Sequence, residues 1–149
     1  MQVLIDTSVL VRIANALDPN GAVARNALRK LRANREQLCI APQNLIEFRS
    51  VATRPVAVNG LGFDSATVEQ QMANFEAAFV LLEESPAIYP AWKFLVSAAG
   101  VLGKQVHDAR LVAVCQVCSV THVLTFNVGH FQRFASVVKG LAVIDPATI

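Results

Sequence analysis

Two patterns of apolar residues recur along the chain: short unbroken runs, and longer stretches in which apolar positions fall three or four apart. Unbroken runs suit strands covered on both faces of a parallel sheet, and the wider spacing suits helices with one buried side. Val3, Leu4 and Ile5 make the first run, followed by residues 38–40, 79–82, 123–126 and 141–144, with 79–82 expected to be buried like the rest. Helical spacing covers residues 9–17, 22–34, 43–53, 66–78, 86–99 and 109–119, with a short helical turn over 131–134. The punctuation agrees with these bounds. Thr7 or Ser8 can cap the first helix, Asp18, Pro19, Asn20 and Gly21 form a turn, Pro42 opens a helix, Pro55 closes it, and Asp64 or Ser65 caps the next. Residues 54–63 hold two glycines and no period. That connection is longer than the usual ~4–6 residues, which makes it a candidate lid or partner-binding edge. Strands alternating with helices predict one α/β domain over residues 1–149, an α/β/α sandwich around a mostly parallel sheet.

Composition changes this picture in one respect. Apolar residues make up 54% of the 149 and charged residues 16%, against a typical charged share of roughly 25%, so apolar surface is left over for a protein partner or a second copy. A net charge of +2 argues neither for nor against nucleic acid. Five of the thirteen Lys and Arg crowd one helix as Arg25, Arg29, Lys30, Arg32 and Arg35, a solvated face or a phosphate contact. No apolar run nears the ~18 residues of a membrane helix, and no secretion signal precedes the first strand. Cys39, Cys115 and Cys118 cannot all pair, which suits a reducing compartment and points to the cytoplasm. Cys115 and Cys118 lack a second pair and fall in an apolar helix, so they are expected in the core.

The chemistry is concentrated in a few acids. Asp6 follows directly on the first apolar run, at the carboxyl end of a strand, which is where ligands bind in open α/β sheets. Glu47 lies among Leu45, Ile46 and Phe48, where a charge is costly unless something cationic meets it. Asp108 stands at the mouth of a later helix, and Asn127 ends the fourth run as Asp6 ends the first. If those two strands are neighbours, all four side chains can converge on one edge. Carboxylates brought that close repel, so each rises in pKa or shares a cation. Hard oxygens without a thiolate or imidazole cluster suit Mg2+ or Mn2+. His107, beside Asp108, is a candidate ligand, base or helix cap, while Trp92, Phe94, Phe75 and Phe79 read as core or dimer interface rather than a stacking platform.

The apolar strand ending in Asp6, Thr7 and Ser8, the segment NLIEFRS around Glu47, VHDARLVA around Asp108 and VLTFNVGHF around Asn127 resemble, in that order, the PIN-domain ribonucleases and most closely the VapC-like toxins of toxin–antitoxin pairs. The resemblance implies a PIN-like α/β/α sandwich with a central parallel sheet of four to five strands, and a metal-dependent endoribonuclease that attacks an RNA phosphodiester in line with activated water. It implies Asp6, Glu47 and Asp108 as the metal ligands, Asn127 at the fourth position, and Thr7 or Ser8 as supporting hydroxyls. His130 falls where the family often has an acid. Three carboxylates offer about −3 against one +2 ion, which favours a single tightly held metal, with any second ion arriving with the RNA phosphate. Arg12, Arg49, Arg110 and the basic helix are candidates to hold the RNA backbone. A homodimer and a cognate antitoxin laying a helix or strand across the acid edge are implied as partners. The competing expectation is an inactive PIN-fold module that binds RNA or protein. A dehalogenase-like phosphatase would need a second Asp where Ser8 stands, and a receiver domain would need its acceptor Asp after the third strand.

Overall fold

Val3, Leu4 and Ile5 lie at the centre of a five-stranded, all-parallel sheet and have no solvent exposure. The computed structural model describes all residues, Met1–Ile149. The strands are β1 Gln2–Ile5, β2 Gln37–Ile40, β3 Val80–Leu81, β4 His122–Leu124 and β5 Ala142–Ile144, in the spatial order β3-β2-β1-β4-β5. The helices are α1 Thr7–Ala14, α2 Asn20–Ala33, α3 Pro42–Thr53, α4 Ser65–Ala78, α5 Ile88–Ala98, α6 Val106–Val117 and α7 Val128–Gln132. β1 pairs with both β2 and β4, so the first and fourth strands are neighbours, as convergence of the acids requires.

The period-two alternation of strand side chains divides the core. Val3, Ile5, Leu38, Ile40 and Leu124 pack with α1, α2, α3 and α4, while Leu4, Cys39 and Val123 pack with α5, α6 and the segment after α7. Phe48 of α3 is fully buried and meets Phe75 of α4 edge-on at 5.0 Å, a geometry that adds to the ~2–3 kcal/mol from burying one such ring. No helix is long and apolar enough to cross a membrane.

Several expected bounds are corrected. α1 stops at Ala14 rather than at 17: Asn15 turns into extended backbone and Leu17 is 92% exposed, because the chain must reverse quickly to lay α2 against α1. Gly21 permits that approach, since a Cβ there would sit 2.8 Å from the Arg12 carbonyl oxygen. β3 is exposed rather than buried because it is the edge strand, pairing with β2 alone. α6 starts at Val106, so Asp108 lies inside its first turn instead of before it. β4 ends at Leu124, and the short helix begins at Val128. Cys115 is in the core and Cys118 half-buried at the end of α6; all three thiols are free. Phe75 and Phe79 are core residues, Trp92 is half-buried with its indole N–H on the Val106 carbonyl, and Phe94 is exposed.

Candidate functional site

Only one residue separates β1 from α1, and it is Asp6. Its N–H continues the sheet by donating to the Leu124 carbonyl at 3.0 Å, and its extended backbone puts it at the N-cap of α1. Its Oδ2 accepts from the Ser8 N–H at 3.3 Å, the Ser8 hydroxyl at 2.6 Å and the Thr125 hydroxyl at 2.7 Å. Asp6 is thus the cap that was expected at Thr7 or Ser8; a carboxylate at this position reaches the second amide of the helix and satisfies a donor with no partner inside it. The same hydroxyls tie β1 to the chain leaving β4, because Ser8 Oγ accepts the Phe126 N–H at 3.1 Å and Thr125 Oγ1 accepts the Asn127 N–H at 2.9 Å. Asp6 is 3% exposed, held at the sheet's carboxyl edge with Oδ1 left without a protein partner.

Glu47 is held by neutral donors, not by the cation its apolar neighbours led us to expect. The Thr7 hydroxyl donates to Oε2 at 2.7 Å, and Gln43 Nε2, one helical turn earlier on α3, donates to Oε1 at 2.7 Å. Asn44 closes the cluster: its Oδ1 accepts the Ala41 N–H at 2.8 Å, and its Nδ2 donates to Thr7 Oγ1 at 3.2 Å. Ile46 avoids the core and is 69% exposed, so Glu47 is a half-buried acid at the lip of a cleft.

Asp108, from the other side, meets His130 Nδ1 at 3.2 Å. Burial, and then the charges of Asp6 and Glu47, push its carboxyl from 3.8 up to about 6, while His130 pulls the other way. Asn127 is exposed at the start of α7, with no side-chain hydrogen bond. His107 is exposed and does not cap α6, but its carbonyl accepts from Gln43 Nε2 at 2.8 Å.

Asp6, Thr7, Ser8, Glu47, His107, Asp108, Asn127 and His130 all line one cleft of about 960 Å3. Arg12, Arg54 and Lys104 line it too, giving cations around an acidic centre. Arg12 donates to the Ser8 carbonyl and lies 4.5 Å over the Phe126 ring. The other expected cations are elsewhere. Arg110 is paired with Glu84 at 2.8 Å and Arg49 faces Ser65 and Glu69. On α2, Lys30 and Arg32 donate to the carbonyls of Ile149 and Ala78. Three uncharged polar residues of the site were not singled out from the sequence: Gln43, whose i, i+4 spacing to Glu47 is the one local signal, and Asn44 and Thr125, whose partners Thr7 and Asp6 are distant in the chain.

Asp6, Glu47 and Asp108 do not stand, as placed, as a closed set of three metal-ligating side chains. Their donor chemistry nonetheless fits a hard divalent cation: three carboxylates share one cleft, and Asp6 and Asp108 each keep an Oδ1 without a protein partner.

The sequence pattern of the PIN domain matches residues 3–137. No curated protein sequence matches the chain. Among solved structures, the fold is similar to VapBC2 from Rickettsia felis bound to a DNA fragment from its promoter, with TM-score 0.70 and 15% identity over 97% of this chain and 98% of that one. It is also similar to FitAcB from Neisseria gonorrhoeae, with TM-score 0.64 and 15% identity over 99% of each chain. A third likeness is to VapC20 from Mycobacterium tuberculosis, described as a toxin that cleaves the sarcin-ricin loop, with TM-score 0.57 and 16% identity over 81% of this chain and 86% of that one.

Proposed function

The chain belongs to the PIN domain family, and from that premise we propose that it is a metal-dependent endoribonuclease, one domain over residues 1–149, acting as the toxin of a toxin–antitoxin pair. The observation that carries this is the meeting of Asp6, Glu47 and Asp108, from three separate elements, in one cleft at the carboxyl edge of the sheet. Asp6, Glu47 and Asp108 would hold Mg2+ or Mn2+, with Asn127 as a neutral fourth oxygen donor. When bound, such an ion activates water and stabilises charge on a phosphoryl oxygen.

The chain's own residues have separable tasks. Ser8 and Thr125 fix the Asp6 carboxylate, and Thr7 with Gln43 fixes Glu47. His130 Nδ1, 3.2 Å from Asp108 Oδ2, orients the third carboxylate from the opposite wall of the cleft. Arg12, Arg54 and Lys104 replace the α2 face as the groups to hold RNA phosphates, because they line the cleft and the α2 residues do not. Exposed Ile46 at the cleft, and exposed Val56, Val58, Tyr89, Phe94 and Leu102, supply apolar surface for an antitoxin and for a second copy. The VapBC and FitAB complexes among the structural neighbours support an antitoxin partner.

Cleavage of mixed single-stranded RNA with Mg2+ or Mn2+, beside a chelator control and the Asp6→Asn variant, tests the proposal. Cleavage that needs metal and vanishes in the variant supports it. A folded protein that neither cleaves RNA nor binds metal would leave the inactive binding module as the function.

A further inference from the structure

We propose that Gln43 is a positioning residue that locks Glu47 of α3 to the helix carrying Asp108, and thereby sets the affinity of the cleft for a divalent cation. This rests on the metal-dependent function above. Gln43 is 8% exposed, both N–H donors of its amide are used, and its oxygen accepts one hydrogen bond. Its Nε2 donates to Glu47 Oε1 at 2.7 Å and to the His107 carbonyl at 2.8 Å, and its Oε1 accepts from Arg110 Nη1 at 3.1 Å. Arg110 is fixed in turn by Glu84, with Nη2 on Oε2 at 2.8 Å. The amide cannot be turned over, because that would set its oxygen against a carboxylate and a carbonyl and its NH2 against a guanidinium.

Both anchors on α6, the His107 carbonyl and the Arg110 side chain, flank Asp108 in the chain. Glu47 and Asp108 carry like charge across one cleft, so they push α3 and α6 apart until a cation arrives. A lysine or arginine in the place of Gln43 would hold Glu47 by neutralising it, and would then compete with the cation. A primary amide holds it with dipoles alone, which leaves the full negative charge of the cleft in place while preventing Glu47 from swinging to solvent. The arrangement is ready before metal arrives, so its benefit falls on binding.

Titration of RNA-free protein with Mn2+ in a calorimeter tests this, using the wild type, Gln43→Met and Arg110→Met. Methionine keeps the length of the glutamine and removes its donors; the arginine variant removes only the outer anchor. The expected result is a Kd weakened about 10–100-fold in Gln43→Met, the usual cost of losing a group that orients a ligand, and by roughly 3-fold in Arg110→Met. Cleavage by Gln43→Met should recover when Mn2+ is raised, a rescue that a purely structural role would not give. Equal Kd values in wild type and Gln43→Met overturn the lock alone, whereas a wild type that binds no Mn2+ overturns the metal function and the lock with it. Should Gln43→Met fail to fold, an unchanged Kd in Arg110→Met overturns the lock.

Discussion

Replacing Asp108 with asparagine should make the metal-free protein more stable at neutral pH, although it removes a residue of the candidate site. The carboxyl titrates at about 6 in the folded chain against 3.8 ordinarily, chiefly through burial and then through the charges of Asp6 and Glu47. At roughly 1.4 kcal/mol per pH unit, holding it ionised at neutral pH costs the folded state at most about 3 kcal/mol. The side chain is 21% exposed, and water screening brings the expected figure to about 1–2 kcal/mol. The sign follows from proton binding. Between about pH 4 and 6 the folded chain keeps a proton that the unfolded chain has lost, so wild-type stability falls as pH rises through that window and levels off above it. Asparagine has no such window and can still accept from His130 across the present 3.2 Å. Thermal unfolding in chelator should therefore place Asp108→Asn roughly 2–8 °C above wild type near pH 7.5, with the gap closing below about pH 4. Added Mn2+ should reverse the order, because wild type gains a ligand the variant lacks. An asparagine variant equal to or below wild type in chelator at pH 7.5, or a gap that persists in acid, would refute the electrostatic account of the cleft.

Other outcomes follow from the same contacts. Glu47→Gln should lower kcat about 10²–10³-fold or more in a single-turnover RNA assay, since the carboxylate lost would hold the cation that stabilises charge developing in the transition state; a wild-type rate would remove Glu47 from the chemistry. Mn2+ at about 100 times its Kd should stabilise wild type by about 2.7 kcal/mol, a shift of roughly 5–10 °C in a melt that EDTA reverses and Asp6→Asn lacks. Gly60→Ala should cost about 1–3 kcal/mol by denaturant titration, because its Cβ would fall 1.9 Å from the Arg54 carbonyl oxygen and backbone must move. An unchanged midpoint would show that the 54–63 loop accommodates it freely.

What the sequence made legible was what carries either a run or a charge. The run at 3–5 placed β1, and the acids at 6, 47 and 108 line one cleft because β1 lies between β2, which leads into the helix of Glu47, and β4, which follows the helix of Asp108. The run at 79–82 misled, since an edge strand at the margin of a sheet reads like a central one until its neighbours are counted, and Val80 and Leu81 are 45% and 44% exposed. The arginines of α2 formed the clearest charge pattern in the chain and yet stay outside the cleft, while Arg12, Arg54 and Lys104, scattered in sequence, line it. Gln43, Asn44 and Thr125 work through hydrogen bonds across 37 to 119 residues of separation. No local spacing encodes those.

Asp6 is at once an acid of the cleft and the cap of the first helix. Asparagine caps a helix about as well as aspartate, whereas alanine gives up roughly 1 kcal/mol and strands its donors. Asp6→Asn should therefore silence the site and leave the fold, its surfaces and its partners' footholds intact. If an antitoxin restrains the chain as proposed, then in a cell that carries both forms the silenced chain would compete with the active one for it. The dead copy would then release the live one.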